Sequence, residues 1–482
     1  MDYRNKYLKY KNKYLIKKQH GGVLNDEKDI FGNTPLHTAI YGIQNNIQDE
    51  GQILSLITDI NKNIKNVREI RTPLHIAITY PRNLSINLIV ALATYENKDY
   101  QDYLGNTPLH TAIINKNLSI DSLSKLKTQR NTLIKNKRGE TPLHIAASER
   151  NVEHSLIDRL ITEGQEDDQK NSIDNKNNTP LHIAIQFGLN SNIVEKLLTD
   201  INKNFQNNEG NTPLHIAIRY SSYSNIVKKL STDENKNYKN NKGNTPLHIA
   251  IINDPSIKLI KEIATEENKN YKDNEGNTPL HFAIIYKLPI ELIKEIATEE
   301  NKNSQNNKGN TPLHFAIINK LPIELIKEIA TEENKNSKNN EGNTPLHFAI
   351  INNPSIELIK EIATEENKNS QNNEGNTPLH FAIINKLPIV LIKEIATEEN
   401  KNSQNNEGDT PLHLVISNKL TTFINIIATK ENIKMRNEHG NTPLMIITNS
   451  ADSNGDFQLH NLRNYNPVLS VLREKIGKLR NS

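Results

Sequence analysis

Gly309-Asn310-Thr311-Pro312-Leu313-His314 decides the reading of this chain, because nearly the same six residues return from end to end. Thr-Pro-Leu begins at Thr34, Thr72, Thr107, Thr141, Thr179, Thr212, Thr245, Thr278, Thr311, Thr344, Thr377, Thr410 and Thr442. The steps are 38, 35, 34 and 38 residues, then seven of 33 between Thr179 and Thr410, then 32. A fixed period of this length marks an array of repeats before any local propensity is weighed. We number thirteen units by these threonines, so that Thr311 belongs to unit 9.

Each letter of the hexamer has a structural task. Gly309 sits where a tight turn needs positive φ, which a residue without a Cβ adopts cheaply. The Thr311 hydroxyl suits a helix N-cap, and Pro312 suits the first helical position, where its missing N–H costs nothing. Leu313, Ala316 and Ile317 follow at helical spacing on one face. A second apolar period, Ile323, Leu325, Ile326 and Ile329, begins just after Pro322 and predicts a second helix. Thr331 to Asn340 is polar, Asn-rich and turn-like. One unit therefore reads as turn, short helix, break, longer helix, polar hairpin.

This pattern resembles ankyrin repeats. Thr-Pro-Leu-His-x-Ala, the Gly two residues before the Thr and the period of 33 all match, over roughly residues 28–450. The resemblance implies an all-α fold, an α-solenoid of about thirteen helix–turn–helix units joined by β-hairpin loops. Two departures stand out. The Gly-His pair of the family between the helices is Lys-Leu-Pro or Asn-Pro-Ser here, and the Gly-Ala-Asp before the hairpin is Glu-Glu-Asn-Lys-Asn. Both keep the unit length, so they bear on loop shape rather than on fold.

Composition suits such an array. Only 35% of residues are hydrophobic and 5% aromatic, which a stack of thin units tolerates because each buries only the faces that touch its neighbours. The absence of cysteine excludes a disulfide framework and thiolate zinc sites, and fits a reducing compartment. No run of about 18 apolar residues and no signal-peptide pattern is present, so an intracellular, cytoplasmic protein is expected. The net charge of +3 is uneven. Residues 1–18 carry seven basic side chains against Asp2, a net of +6, and residues 461–482 carry a net of +4. The segment between is mildly acidic.

Three segments follow. Residues 1–22 form a basic leader in which Tyr3, Tyr7, Tyr10 and Tyr14 would make one stripe on a helix. Its Lys-Tyr-Leu-Lys-Tyr-Lys resembles the start of many proteins of giant DNA viruses, which implies a viral protein acting on host proteins. The leader is either a solvated tail or the one place, residues 1–18, where the chain would touch membrane or RNA. Residues 23–450 are the array: irregular units over 23–244, near-identical units over 245–408 and last units over 409–450. Unit 1 has an insertion from Asn45 to Gly51. Unit 2 has Ile70 and unit 5 has Asn177 in place of the turn glycine; Asn adopts positive φ readily, whereas β-branched Ile70 predicts a distorted hairpin. Unit 4 carries an acidic extension, Glu163 to Asp168. Residues 451–482 read as a capping helix, since a terminal unit needs a polar outer face.

Chemistry is scarce along the chain. Twelve of the sixteen histidines are the His of Thr-Pro-Leu-His, one per unit, whereas a metal site needs two to four ligands converging on one point. The family resemblance implies instead that each His bonds its Thr and nearby backbone. Glu299-Glu300 and its copies are adjacent and point apart, unlike a catalytic carboxylate pair. Glu291 and Lys294, three apart, are expected to pair on a helix surface. No phosphate-binding Gly-rich loop, nucleophile elbow or metalloprotease pair is present. No enzyme, cofactor or metal is expected. The acidic array and sparse aromatics also speak against nucleic acid.

The expected function is a non-catalytic, monomeric protein–protein interaction scaffold working through its concave face. A substrate-receptor role in a ubiquitin ligase is the alternative, with Asn466-Pro467-Val468-Leu469 as its poorly matching recruiting segment. Near-copied units offer a monotonous surface, so an anchor is sought elsewhere. Eight residues after the Thr, where the family exposes a concave-side residue, the copied units have Asn253, Asn319, Asn352 and Asn385, while other units have Tyr80, Phe187, Tyr220 and Tyr286. Phe187 and Tyr220, with Arg219 beside them, are the candidate anchor. The competing reading is that each aromatic covers its own helix end.

Overall fold

The computed structural model describes residues 28–43, 50–79, 85–116, 118–150, 153–220, 224–253, 256–448 and 470–478. The leader (1–22), Tyr80, most of the unit 1 insertion and residues 451–469, including the Asn466–Leu469 segment, lie outside them. Internal contacts divide the chain into two compact blocks, Met1–Asn241 and Lys242–Ser482. Among the described residues, each of the thirteen Thr-Pro-Leu sites opens a helix and no strand forms. No described helix is long and apolar enough to cross a membrane.

Unit 9 shows how the sequence builds one unit. Thr311 is extended (φ −86°, ψ 166°) and caps a first helix, Pro312–Ile318, with the proline at its first position. Leu313, Ala316 and Ile317 are buried. The chain then turns through Lys320, whose φ of 52° is left-handed, and Pro322 leads into a second helix, Ile323–Ile329. Leu325, Ile326 and Ile329 form its buried face. Fully burying a Leu or Ile is worth about 1.5–3 kcal/mol, so five such side chains outweigh the weak helix propensity of pieces this short. First helices pack on the first helices of adjacent units, and second helices on second helices.

Several expectations need correction. The second helix is not longer than the first: each has seven residues. The loops contain no β-strands among the described residues; the hairpin is a single turn closed by Asn306 N–H to Asn310 O (3.0 Å) and Gly309 N–H to Asn306 O (2.8 Å). Between the helices, Lys287, Lys320, Asn353 and Lys386 take the left-handed conformation that Gly188 takes in unit 5, so the departure from glycine leaves the backbone path unchanged. Each such lysine carries a steric cost of roughly 1–2 kcal/mol. In unit 2, Ile70 is left-handed (φ 54°) and the closing bond runs from Asn66 N–H to Arg71 O, one residue further than in unit 9. The hairpin is lengthened there, as its β-branched residue suggested. Asn177 (φ 58°) replaces glycine with no such change.

The polar stretch after the second helix is the largest surprise. Thr331 caps a third short helix, Glu332–Asn336, and Asn334 in its middle is completely buried. Its Oδ1 accepts from Thr331 N–H (2.9 Å), while Nδ2 donates to Ile329 O (2.8 Å) at the end of the second helix and to Lys302 O (3.0 Å) in unit 8. One amide thus caps two helix ends and joins two units. Asn97, Asn131 and Asn202 in the first block, and Asn301, Asn367, Asn400 and Asn432 in the second, make the same three bonds. In unit 4 the acidic extension moves the backbone, and the longer Gln169 reaches Leu160 O (3.1 Å) and Thr162 N–H (2.8 Å) in its place.

A Cβ on Gly309 would lie 2.8 Å from Asn339 Cα and from Asn340 N of the next hairpin, and Gly309 has φ +76°. Both the strain and the clash are with backbone, which cannot step aside. Gly309→Val should therefore cost about 2–4 kcal/mol, at or above the usual range for a strained residue, whereas Gly440→Val, with nothing near its Cβ, should cost only the strain. Chemical denaturation of the two variants checks the difference.

Residues 470–478 form a further helix; Leu472 is buried, and Lys475 Nζ donates to Asn425 O (3.1 Å) on the second helix of unit 12.

Candidate functional site

The recurring histidine is the first group to test for chemistry. Thr311 N–H donates to His314 Nδ1 (3.1 Å), and the Thr311 hydroxyl lies 2.8 Å from the same nitrogen. A backbone N–H can only donate, so Nδ1 accepts and the ring proton sits on Nε2. That Nε2–H points at Asn343 O, 3.2 Å away in unit 10. The Thr–Nδ1 contact recurs for all twelve histidines at 2.7–2.9 Å. For eleven of them Nε2 meets a carbonyl of the next unit at 2.9–3.3 Å. Burial pushes the His314 pKa down to about 4, opposed in part by the bond to Asn343. A second ring proton would also face the Thr311 N–H, donor against donor. With both nitrogens committed, these imidazoles are clamps between units rather than bases or ligands.

The carboxylates are equally occupied. Glu299 pairs with Lys302 in its own helix (3.2 Å), while Glu300 accepts from Asn270 Nδ2 of the preceding unit (2.7 Å). The two side chains diverge, as adjacent helical residues must. The expected Glu291–Lys294 pair is replaced by a link between units, Lys294 to Glu328 at 3.6 Å. Among the described residues no group of three or more His, Asp or Glu could hold a metal ion.

The candidate anchor residues occupy one structural position. Phe187, Tyr220 and Tyr286 are the C-cap residues of the first helices of units 5, 6 and 8, each 40–49% exposed. Arg219, the last residue of its helix, is exposed beside Tyr220. Tyr286 stacks on Phe282 of its own helix (6.3 Å between centroids, 14° between planes), so here the ring does cover its own helix end. Phe187 and Tyr220 lie on consecutive units of the first block. At the equivalent positions Asn253, Asn352 and Asn418 fold back to donate to carbonyls of their own helices. Asparagine here closes the helix; an aromatic leaves apolar surface to solvent.

The copied units repeat one further feature. Phe315, Phe348 and Phe381 are half-buried, each ring set edge-on against the histidine of the preceding unit at 5.8–6.0 Å. Three residues on, Ile318, Ile351 and Ile384 are exposed on the same helix face. The sequence signal was the second Ile of Ala-Ile-Ile, which helical spacing places away from the buried Leu, Ala and first Ile.

No curated protein matches the chain. Among solved structures, the ankyrin repeat domain of Bcl-3, described as a unique member of the IkappaB protein family, is similar at 23% identity, covering 42% of this chain and 94% of its own, with a TM-score of 0.35. A family model of ankyrin repeats, three copies long, matches in overlapping windows over residues 120–207, 154–240, 183–266, 221–301, 253–323 and 319–392. With those matches spanning more than half of its length, on units whose threonine cap, histidine clamp and turn glycine have been seen atom by atom, the chain belongs to the ankyrin-repeat family.

Proposed function

We propose that the chain is a non-catalytic scaffold that binds another protein along the side carrying its hairpins and first helices. The observation that carries this is division of labour. The histidines and the buried amides are spent on holding units together, while apolar side chains stay exposed at the ends of the first helices. Large apolar side chains at a rigid, repeated position are what a protein partner can use and what folding does not need. On the leader's resemblance to viral proteins, that partner would be a host protein, met by a monomer.

Phe187 and Tyr220, with Arg219 between them in the chain, form the anchor in this reading. Once a partner is in hand, Phe187→Ala with Tyr220→Ala should weaken binding by about 2 kcal/mol or more, the range for a hot-spot pair. The melting temperature should move little, because both residues sit at helix ends outside the buried core. The matched control is Asn319→Ala with Asn352→Ala in the copied units. Equal losses from both pairs would show that the aromatics are not the anchor.

A further inference from the structure

The hairpin tips of the first block change character along the chain. From unit 6 onward a tip is typically Asn followed by Glu or Lys, as in Asn208-Glu209 and Asn307-Lys308. In units 1 to 3 the tips are apolar: Ile30 is 88% exposed, Val67 74%, and Ile70, Tyr103 and Leu104 between 42% and 45%. In units 4 and 5 they turn basic, with Lys137, Arg138 and Lys176 all exposed. These tips are neighbours in space. Val67 N–H donates to Phe31 O (2.9 Å), Tyr103 N–H to Glu69 O (3.0 Å), Lys137 N–H to Leu104 O (3.0 Å) and Asn175 N–H to Arg138 O (3.0 Å). The result is one row, apolar at its start and cationic at its end.

The side chains at these tips do not close the turns. The turns are closed by other groups: Asp102 Oδ1 accepts from Leu104 N–H and Asn106 N–H (both 2.9 Å), and Asn136 Oδ1 does the same for Arg138 N–H and Glu140 N–H (2.9 and 3.0 Å). Arg68 lies over the Phe31 ring (5.8 Å) and adds cationic charge at the start of the apolar part, whereas Arg71, over Tyr103 (5.9 Å), is neutralised by Glu69 (3.0 Å) and Asp102 (3.7 Å). Lys137, Arg138 and Lys176 make no ion pair among the described residues.

We propose that the hairpin row of units 1 to 5 is a docking strip for an extended segment of a partner protein, apolar at one end and acidic at the other. Four unit steps of about 8–10 Å give roughly 30–40 Å, which about 10–12 extended residues would span. Charge decides against the other occupants. The leader carries a net of +6 and would meet Arg68, Lys137, Arg138 and Lys176 with like sign. A second copy, related by a two-fold axis, would set the apolar tips of one chain against the basic tips of the other. This deepens the reading of the chain as a protein-binding scaffold, but it does not depend on the Phe187–Tyr220 anchor.

The test is a spotted array of peptides about 12 residues long in which leucines and glutamates are permuted, with lysine-for-glutamate and serine-for-leucine counterparts, probed with the labelled full chain. Retention is expected for peptides with leucines in one half and glutamates in the other, at least tenfold above both counterparts. Val67→Asp with Leu104→Asp should lower it at least tenfold with an unchanged circular-dichroism melt. Lys137→Glu with Arg138→Glu should transfer the preference to the lysine peptides. Phe187→Ala with Tyr220→Ala should leave the pattern alone, which separates this proposal from the anchor. Retention that ignores the sign of the peptide, or survives Val67→Asp with Leu104→Asp, overturns the proposal. So does a dimer that this double change splits, or a gain of retention on deleting residues 1–22, since either would show the strip already covered by this chain itself.

Discussion

Lowering the pH from 7 to 5 is expected to destabilise both blocks steeply, because unfolding releases the histidine clamps to take up protons. In the first block His37, His110, His144 and His182 have pKa values held down to about 4, and His75 to about 3, in each case chiefly by burial. In the second, His281, His314, His347 and His380 are held at about 4, and His413 is lowered for the same reason. Because the folded pKa lies below the unfolded value of 6.5, the unfolded chain takes up protons that the native chain refuses. The stabilisation is complete above pH 6.5 and is lost as the pH falls from 6.5 toward 4. Each such histidine contributes about 1.4 kcal/mol per pH unit in that window. Four or five in one block make roughly 5–7 kcal/mol per unit, against a total stability of about 5–15 kcal/mol for an ordinary domain. Urea midpoints measured between pH 7 and 5 should fall steeply. A flat profile would mean that the imidazoles are solvated or already charged.

Asn334→Ala should be among the most damaging single changes in the second block, costing about 3–5 kcal/mol. It leaves the buried Ile329 carbonyl and the part-buried Thr331 N–H and Lys302 carbonyl without their partner, each worth about 1–3 kcal/mol when left unpaired. Asn334→Asp should be nearly as harmful, because its carboxylate would face two carbonyl oxygens where an NH2 had stood. Asn307→Ala is the contrast: that side chain also bonds a neighbouring unit, donating to Asn274 O (2.9 Å), but it is exposed and water can replace it. Its cost should stay within about 0.5 kcal/mol. Denaturant titrations of the three variants, all on the full chain, decide it. Equal costs for Asn334→Ala and Asn307→Ala would remove the buried amide from this account.

What the sequence made legible follows from where its information lies. The period, the proline after a capping threonine and the glycine before it are local constraints, and each maps onto one backbone conformation. The bonding of each histidine to its threonine and to nearby backbone was equally readable, through the resemblance of Thr-Pro-Leu-His to the family's motif. The buried amide row was hidden because apolar periodicity is the usual sign of a core, and Glu-Glu-Asn-Lys-Asn has none. Its signal was internal: the first Asn of Asn-Lys-Asn keeps a fixed distance from the second helix through most units, which a solvated loop has no reason to do. The Glu291–Lys294 pair failed for a related reason. Spacing along one helix says nothing of a partner some 33 residues away, and in a stack that partner is the nearer one. The apolar tips at Ile30, Val67 and Leu104 stand in plain sight in the sequence, but an apolar letter in a turn does not say whether it is exposed.

The tautomer of the histidines is the point on which most of this rests, because it fixes the cap, the link to the next unit and the response to acid together. Long-range proton–nitrogen spectra of the chain labelled at histidine read it directly. At pH 7 the Thr-Pro-Leu-His imidazoles should show an unprotonated Nδ1 and a protonated Nε2, and those resonances should not titrate before the chain unfolds. Imidazoles that populate both tautomers, or titrate near pH 6.5 in a still folded chain, would contradict the claim that they clamp one unit to the next.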